Sequence, residues 1–219
     1  AVIPVHIMGF PCNMDAINAV AKKHGIAVVE DACQSIGGRY NGKFLGTLGD
    51  VGAYSFNYYK VLTAGEGGAL VTNNRNVYER ALIYHDSSAV AFFGDQLDGI
   101  SEPLFGGSEF RVSDITGAIL REQLKKLPDI ITDLHKNKFA LISKLCEKAV
   151  VAPSHDSEGD CATTLVLRFE TADDCAKAFF AGQVDAAATW EPYLTQAASS
   201  SDLTFTLNTD DVADFINTN

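Results

Sequence analysis

The sequence is short of basic residues. Its 219 positions hold 17 Lys and Arg against 28 Asp and Glu, which gives a formal net charge of −11. A surface with this charge repels phosphate backbones and anionic lipids, which argues against nucleic acid and membranes as partners. No apolar run is long enough to cross a bilayer, and the first residues lack the basic start of a signal peptide. We therefore expect a cytoplasmic protein.

Cysteine pairs with metal-site spacing are also missing. Five cysteines occur, and no two of them are in a C-x-x-C arrangement: Cys12, Cys33, Cys146, Cys161 and Cys175. Their odd number and their spacing argue against a disulfide framework and against a zinc site. The sequence therefore predicts reduced thiols and no metal, in a chain whose apolar content of 47% is enough for a packed core.

The opening residues are typical of an interior strand. Residues 2–7 are apolar and β-branched, and no initiator methionine precedes them, so we expect a fragment or a processed chain. A helix is expected over 14–24, with Gly25 as its C-terminal cap, followed by a buried strand over 26–31. This β-α-β order predicts parallel strands, and ligands bind beyond the carboxyl ends of such strands, where Asp31 falls.

The rest of the pattern predicts an α/β part followed by a smaller α+β part. Further strands are expected around 39–40, 43–44, 53–56, 69–72 and 163–170. Further helices are expected over 76–85, 113–127, 129–150 and 171–180. Pro128 should break or kink the chain between the two long helices, the first of which has its apolar face at Ile115, Ile119 and Leu124. We place a domain boundary there, with residues 1–127 before it and 128–219 after it. The signals weaken over 181–219.

One block of sequence carries the chemical signal. Its elements are V-E-D-A-C-Q-S at 29–35, G-T-L-G-D-V-G-A-Y-S-F at 46–56, Lys60, and T-A-G-E-G-G-A at 63–69. Taken singly, a loop lysine is usually solvated and glycines usually serve turns. Taken together and in this order, the elements resemble the DegT/DnrJ/EryC1/StrS family of sugar aminotransferases. Cys33, Thr47 and Tyr54 are small departures from that pattern.

The resemblance extends over about residues 1–150 and implies a fold and an activity. The fold is that of type I pyridoxal-phosphate transferases, which are aspartate aminotransferase-like. Residues 1–127 would then be the C-terminal portion of the large, cofactor-binding domain, and 128–219 the small domain. The implied activity is transfer of an amino group, with glutamate as the expected donor, to a keto-sugar or nucleotide-linked keto-sugar, as in cell-surface polysaccharide synthesis. Pyridoxal phosphate is the implied cofactor, and a homodimer is the implied assembly.

The same resemblance assigns roles to four residues. Asp31 would hold the proton on the cofactor's pyridine nitrogen, because a carboxylate there stabilises the protonated ring. Lys60 would bond to the cofactor aldehyde and carry protons as the catalytic residue. Ser55 would contact the phosphate, and Gln34 would lie beside the ring and its phenolic oxygen. Some relatives have histidine in place of Lys60 and act as dehydratases, so the lysine favours transamination.

Other positions leave alternatives open. His6 is either near the site or a satisfied core histidine, and Glu66 shapes the loop beside the cofactor. Glu109 stands where the family has an asparagine that reaches the phosphate of a neighbouring subunit, and a carboxylate would repel that phosphate. The resemblance also implies that the family's Gly-Thr turn, which cradles the phosphate, and the aromatic residue that stacks on the ring would lie before Ala1.

Two other classes of protein compete with the enzyme. A truncated, catalytically inactive remnant that serves as a structural or interaction module is the main alternative, and the expected position of the Gly-Thr turn before Ala1 favours it. The stretch 181–193 loosely resembles periplasmic solute-binding proteins, but the fit of the first 150 residues argues against that class.

Overall fold

The computed structural model describes residues 1–86, 100–143, 150–151, 154–171 and 174. By their contacts, residues 1–143 and 153–165 form one compact unit, and residues 144–152 and 166–219 form a second. Every strand and helix that positions the predicted site residues lies in the first unit.

The first helix, α1 (Met14–His24), has the predicted bounds. The side chain of Asn13 begins it by accepting a hydrogen bond from the Ala16 amide at 3.1 Å. Gly25 ends it at a φ of 61°, a left-handed conformation that glycine adopts at little cost. Met14 and Ala21 are buried on its inner face, as expected of an amphipathic helix that packs on a sheet.

The described residues of this unit form five short strands. They are β1 (Val29–Asp31), β2 (Arg39–Tyr40), β3 (Lys43–Phe44), β4 (Val51–Ser55) and β5 (Gly68–Val71). The main sheet has the order β1-β4-β5, in which β1 and β4 are parallel and β5 is antiparallel to β4. Strands β2 and β3 form a separate antiparallel hairpin.

The strand predicted over 2–7 is present only in part. Val2 and Val5 form single parallel bridges to Val28 and Asp31, and a 3₁₀ turn over Ile7–Gly9 follows. Met8 in this turn has a φ of 54°, which is incompatible with an extended strand. The parallel β-α-β order that the sequence predicted is retained through these two bridges.

Two apolar clusters hold the unit together. One joins α1 to the sheet and the hairpin through Met14, Ala21, Val28, Tyr40 and Leu45. The other consists of Ile36, Phe56 and Leu62, with partly buried residues such as Leu120 and Leu127 packed against it. The second cluster lies directly beneath the loop that carries Lys60.

Two more helices complete this unit: α2 (Arg75–His85) and α3 (Asp114–Ile142). The break predicted at Pro128 is wrong, because α3 runs through it as one helix of 29 residues and so continues across the predicted domain boundary. Proline removes one helical hydrogen bond, but this proline is exposed, so water can solvate the carbonyl that loses its partner. Below it, Leu127 and Ile131 approach Gly37 closely.

The second unit is described only in part. Its described strands are β6 (Val150–Val151) and β7 (Leu167–Arg168), which pair antiparallel. The strand predicted over 163–170 is therefore shorter, since residues 163–165 belong to the first unit, where Thr163 bonds to the Met8 carbonyl. Most of the helix predicted over 171–180, and all of 181–219, lie outside the described residues. Among the described helices, none combines the length and apolarity needed to cross a bilayer.

Candidate active site

Strand pairing brings the predicted site residues to one edge of the main sheet. Asp31 is in register with Ala53, and Ser55 follows two residues later at the end of β4. Register partners and residues two apart point to the same face, so Asp31 and Ser55 share a face as well as an edge. Gly68, which opens β5, pairs with Ser55, so the loop between β4 and β5 begins and ends at this edge.

Asp31 is half-buried and its backbone is fixed on both sides. Its amide donates to the Pro4 carbonyl at 2.9 Å, and its own carbonyl accepts from the His6 amide at 3.0 Å. One carboxylate oxygen, Oδ1, accepts a hydrogen bond from the Cys33 amide at 3.0 Å. Within the described parts of the chain no hydrogen bond is made to Oδ2, which is therefore available to a ligand.

Lys60 lies in a loop that is anchored at several points. Its amide donates to the Asn57 carbonyl at 3.0 Å, and Leu62, two residues on, is completely buried. The Asn57 side chain donates to Glu66 at 2.9 Å, which ties the two ends of the loop together. This bond agrees with the prediction that Glu66 shapes the loop. The anchors restrict where the half-buried Lys60 can place its amine.

The pKa of the Cys33 thiol depends on the charges of both Asp31 and Lys60. Burial, the hydrogen bond to Asp31 and the negative charge of Asp31 raise the pKa of Cys33 to about 11, while the positive charge of Lys60 opposes that rise. Charges act on a thiol only over short distances, because solvent screens them strongly further away. The Asp31 carboxylate and the Lys60 amine therefore both lie within electrostatic reach of this thiol.

The other two predicted site residues, Ser55 and Gln34, differ in their burial and in their hydrogen bonds. Ser55 is half-buried, and its Oγ accepts a hydrogen bond from the Asn57 amide at 3.4 Å. That leaves the hydroxyl proton free to be donated to an incoming anion. Gln34 is exposed, and its Oε1 accepts from the Met8 amide at 2.7 Å. The amide nitrogen of Gln34 is the part of this side chain that could face a ligand.

These residues fit pyridoxal phosphate as a donor set. A carboxylate with an unused oxygen, a primary amine, a hydroxyl proton donor and a side-chain amide all occur at one sheet edge. Glycines flank the loop, and Gly67, at a φ of 133°, adopts a conformation that other residues rarely take. Nothing in the donor set conflicts with a flat, phosphorylated, basic ring.

His6 and Glu30 form a buried pair that the sequence did not fully predict. Both are completely buried, and His6 Nε2 lies 3.0 Å from Glu30 Oε2. His6 Nδ1 accepts from the Cys12 amide at 3.1 Å, so both ring nitrogens are satisfied, which favours the core-histidine interpretation. Glu30 was not among the predicted site residues. A charged residue inside a run of buried strand residues was the signal, since such a charge must find partners.

Glu109 is paired within its own chain. Arg111 donates to both of its oxygens, from Nε at 2.8 Å and from Nη2 at 2.9 Å, and also contacts Asp86 at 2.9 Å. Arg111 holds the pKa of Glu109 below its ordinary value of 4.5. Glu109 is therefore ionised, and Arg111, which it shares with Asp86, offsets only part of the negative charge of these two carboxylates. Its contact with another subunit stays a prediction.

A groove of about 990 Å³ lies next to the end of the loop that carries Lys60. None of the four predicted site residues lines it, although Gly67 and Gly68 do. Its walls are apolar and aromatic, and include Tyr84 and Phe110, whose rings stack at 5.8 Å. The groove is thus a neighbour of the candidate site rather than the site itself.

Comparison with known proteins gives one family. A family model described as the DegT/DnrJ/EryC1/StrS aminotransferase family matches residues 1–211. Among curated proteins, GDP-perosamine synthase of Escherichia coli O157:H7 is 35% identical over 144 residues, which are 66% of this chain and 37% of that protein. The chain therefore spans well under half the length of this relative.

Solved structures share the fold. The structure of DesI in the presence of its TDP-sugar product aligns with a TM-score of 0.67 at 27% identity, over 81% of this chain and 43% of that one. Escherichia coli GDP-4-keto-6-deoxy-D-mannose-3-dehydratase aligns with a TM-score of 0.68 at 24% identity, over 83% of this chain and 51% of that one. The predicted fold class is confirmed, and the dehydratase structure contains bound pyridoxal phosphate, the cofactor expected from the sequence.

Proposed function

Because the chain belongs to the DegT/DnrJ/EryC1/StrS aminotransferase family, we propose that it is part of a pyridoxal-phosphate enzyme that transfers an amino group to a keto-sugar. Glutamate is the proposed amino donor, and a keto-sugar, free or nucleotide-linked, is the proposed acceptor. A cytoplasmic homodimer is the proposed assembly. The observation that carries the proposal is the strand register, by which Asp31 and Ser55 share one face of the sheet edge from which the loop with Lys60 begins.

Each residue has a distinct task in this proposal. The cofactor supplies an electron sink for the bond that loses its proton. Asp31, through its unused Oδ2, would hold a proton on the pyridine nitrogen. Ser55 would donate its hydroxyl proton to the phosphate, and Gln34 would donate from its amide nitrogen to the phenolic oxygen.

Lys60 would bond to the cofactor and move a proton at its Nζ. Proton transfer of this kind requires an amine held within hydrogen-bond reach of the reacting atom. The anchors at Asn57 and Leu62 restrict the loop backbone on both sides of the lysine, so the amine searches a small volume. A lysine rather than a histidine at this position favours amino transfer over dehydration.

The proposal is tested by visible absorption of the purified protein mixed with pyridoxal phosphate. A lysine bonded to the cofactor gives a visible band, which should disappear in Lys60→Ala and persist in Lys43→Ala, a control on exposed β3. Addition of glutamate should convert the wild-type spectrum to that of the amine form of the cofactor. Persistence of the band in Lys60→Ala would contradict the assignment. Absence of any band at saturating cofactor would instead support the inactive remnant.

A further inference from the structure

Glu30 is the residue next to Asp31, but its side chain faces the opposite side of the sheet. It is completely buried, and a buried carboxylate is stable only where its oxygens are well paired. Both oxygens are satisfied: Oε1 accepts from the Leu48 and Gly49 amides at 2.6 and 2.5 Å, and Oε2 from the Gly46 amide at 2.8 Å. His6 Nε2 also contacts Oε2, at 3.0 Å.

The two hydrogen bonds of His6 fix which ring nitrogen accepts and which donates. The Cys12 amide is a donor, so His6 Nδ1 must be the acceptor in their 3.1 Å bond. The ring proton of a neutral imidazole is then on Nε2, where it is donated to Glu30. Although burial alone would raise the pKa of Glu30, the bonds from His6 and the three amides outweigh it and keep that pKa below 4.5.

The three backbone amides belong to the turn that leads into β4. Asp50, which follows directly, binds Val28, the residue just before β1: its Oδ2 accepts from the Val28 amide at 2.8 Å, and its amide donates to the Val28 carbonyl at 2.9 Å. The turn is also packed tightly, since a side chain on Gly49 would come within 2.8 Å of the Val28 carbonyl oxygen. Glu30 thus holds the turn just before β4 starts.

The turn decides how β4 lies against β1. Successive side chains of a strand point to opposite faces, so a slip of one residue would turn Ser55 away from the face it shares with Asp31. Such a slip would also displace the start of the loop that carries Lys60. The register is therefore what brings the acid, the hydroxyl and the amine together.

We propose that Glu30, oriented by His6, is a positioning residue of the cofactor site, whose carboxylate sets the register that aligns Asp31 with Ser55. The inference rests on the proposed function, because it concerns the same site. Glu30 faces the opposite side of the sheet from Asp31, so its role is to position the site rather than to contact the cofactor.

Glu30→Gln is the direct test, and Glu79→Gln is its matched control. The amide introduced by Glu30→Gln would present its hydrogens to at least one backbone amide that now donates to Glu30. Glu79 is another buried carboxylate that accepts backbone amides, from Ser101 and Glu102, but it lies on α2 away from the sheet edge. Both variants lose acceptors for backbone amides, and Glu79→Gln also weakens the pair of Glu79 with Arg75 at 2.5 Å, so the control loses at least as much stability without touching the sheet register.

Three readouts are measured on both variants. Hydrogen exchange at Gly46, Leu48 and Gly49 should accelerate only in Glu30→Gln. Pyridoxal phosphate should bind Glu30→Gln about tenfold to a hundredfold more weakly than wild type, because the turn moves to solvate its unpaired donor and cofactor binding must reverse that movement. The pH midpoint of the cofactor's visible band should move in Glu30→Gln and remain unchanged in Glu79→Gln.

If Glu30→Gln does not fold, Gly49→Ala replaces it as the test variant. This substitution displaces the turn without changing a charge, so it should also weaken cofactor binding. Equal cofactor affinity and equal pH midpoints in wild type and in whichever of these variants folds would overturn the positioning role while leaving the proposed function intact. If the wild type shows no Lys60-dependent band, the proposed function fails, and the positioning role fails with it.

Discussion

The main sheet and helix α3 belong to the same unit, but they bury their apolar residues to very different extents. Beneath the sheet edge, Leu62 and Phe56 are buried, as are Met14 and Leu45 on the α1 side. On α3 the predicted apolar face is largely exposed: Ile115 is 75% exposed, Ile119 45% and Leu124 46%. The buried residue of this helix is instead the charged Lys138.

The difference shows what helical spacing can and cannot predict. Apolar residues occur on more than one side of α3, and the stripe that packs on the unit is the one containing Leu120, Leu127 and Ile131. A sheet residue has only two faces to choose from, whereas a long helix has a full circle. Among the described residues, Ile115, Ile119 and Leu124 belong to neither of the two buried apolar clusters.

The largest expected effect comes from the charged contact of α3. Lys138 and Asp160 form a buried ion pair, with side chains 6% and 2% exposed. Asp160→Ala should lower the free energy of unfolding by about 3–5 kcal/mol, because it leaves a buried ammonium without its partner. Urea denaturation measures this. Glu122→Ala, which breaks the exposed pair with Lys125, is the control and should change stability by about 0.5 kcal/mol or less.

A second prediction contrasts the two apolar surfaces directly. Leu62→Ala should destabilise the protein by about 2–4 kcal/mol, because it leaves a cavity under the Lys60 loop. Ile115→Ala should change the free energy of unfolding by no more than about 0.5 kcal/mol, since its side chain is mostly in solvent. A large loss for Ile115→Ala would break the comparison, and would mean that another surface covers that side of α3.

The smallest expected effect is on the titration of Cys33. Replacing Asp31 by Asn should lower the raised pKa of this thiol, while Lys60→Ala should raise it further, because the two charges act in opposite directions. NMR of protein with ¹³C-labelled cysteine side chains resolves each thiol as a function of pH. If the pKa of Cys33 fell in Lys60→Ala instead of rising, the Lys60 amine would lie away from Cys33 and Asp31.

The raised pKa of Cys33 also predicts the direction in which the stability of the protein changes with pH. The folded-state pKa of Cys33 is raised from 9.0 to about 11, so folding favours the neutral thiol. Its contribution to stability is therefore complete below pH 9 and is lost as the pH rises through about 11. In a Cys33→Ala variant this part of the alkaline loss should be absent from the denaturation curves.

Much of the local structure was predictable because it depends on neighbouring residues. Asn13 and Gly25 bound α1 at the predicted positions, since a side-chain cap and a left-handed glycine act within a few residues. Asp31 was expected at a strand's carboxyl end for the same reason. The course of α3 through Pro128 was not predictable, because the outcome depended on whether the proline ring would be exposed.

The sequence by itself determined the chemistry: an aspartate after a buried strand, a lysine in a glycine-flanked loop, and the pattern that identifies the family. Only the tertiary structure decided that Asp31 and Ser55 share one face of the sheet edge, that Glu30 faces the turn before β4, and which side of α3 packs inward. The physical reason is the distance along the chain over which each effect acts. Propensity and capping act over a few residues, whereas register and burial depend on surfaces that are distant in the chain and meet only when it folds.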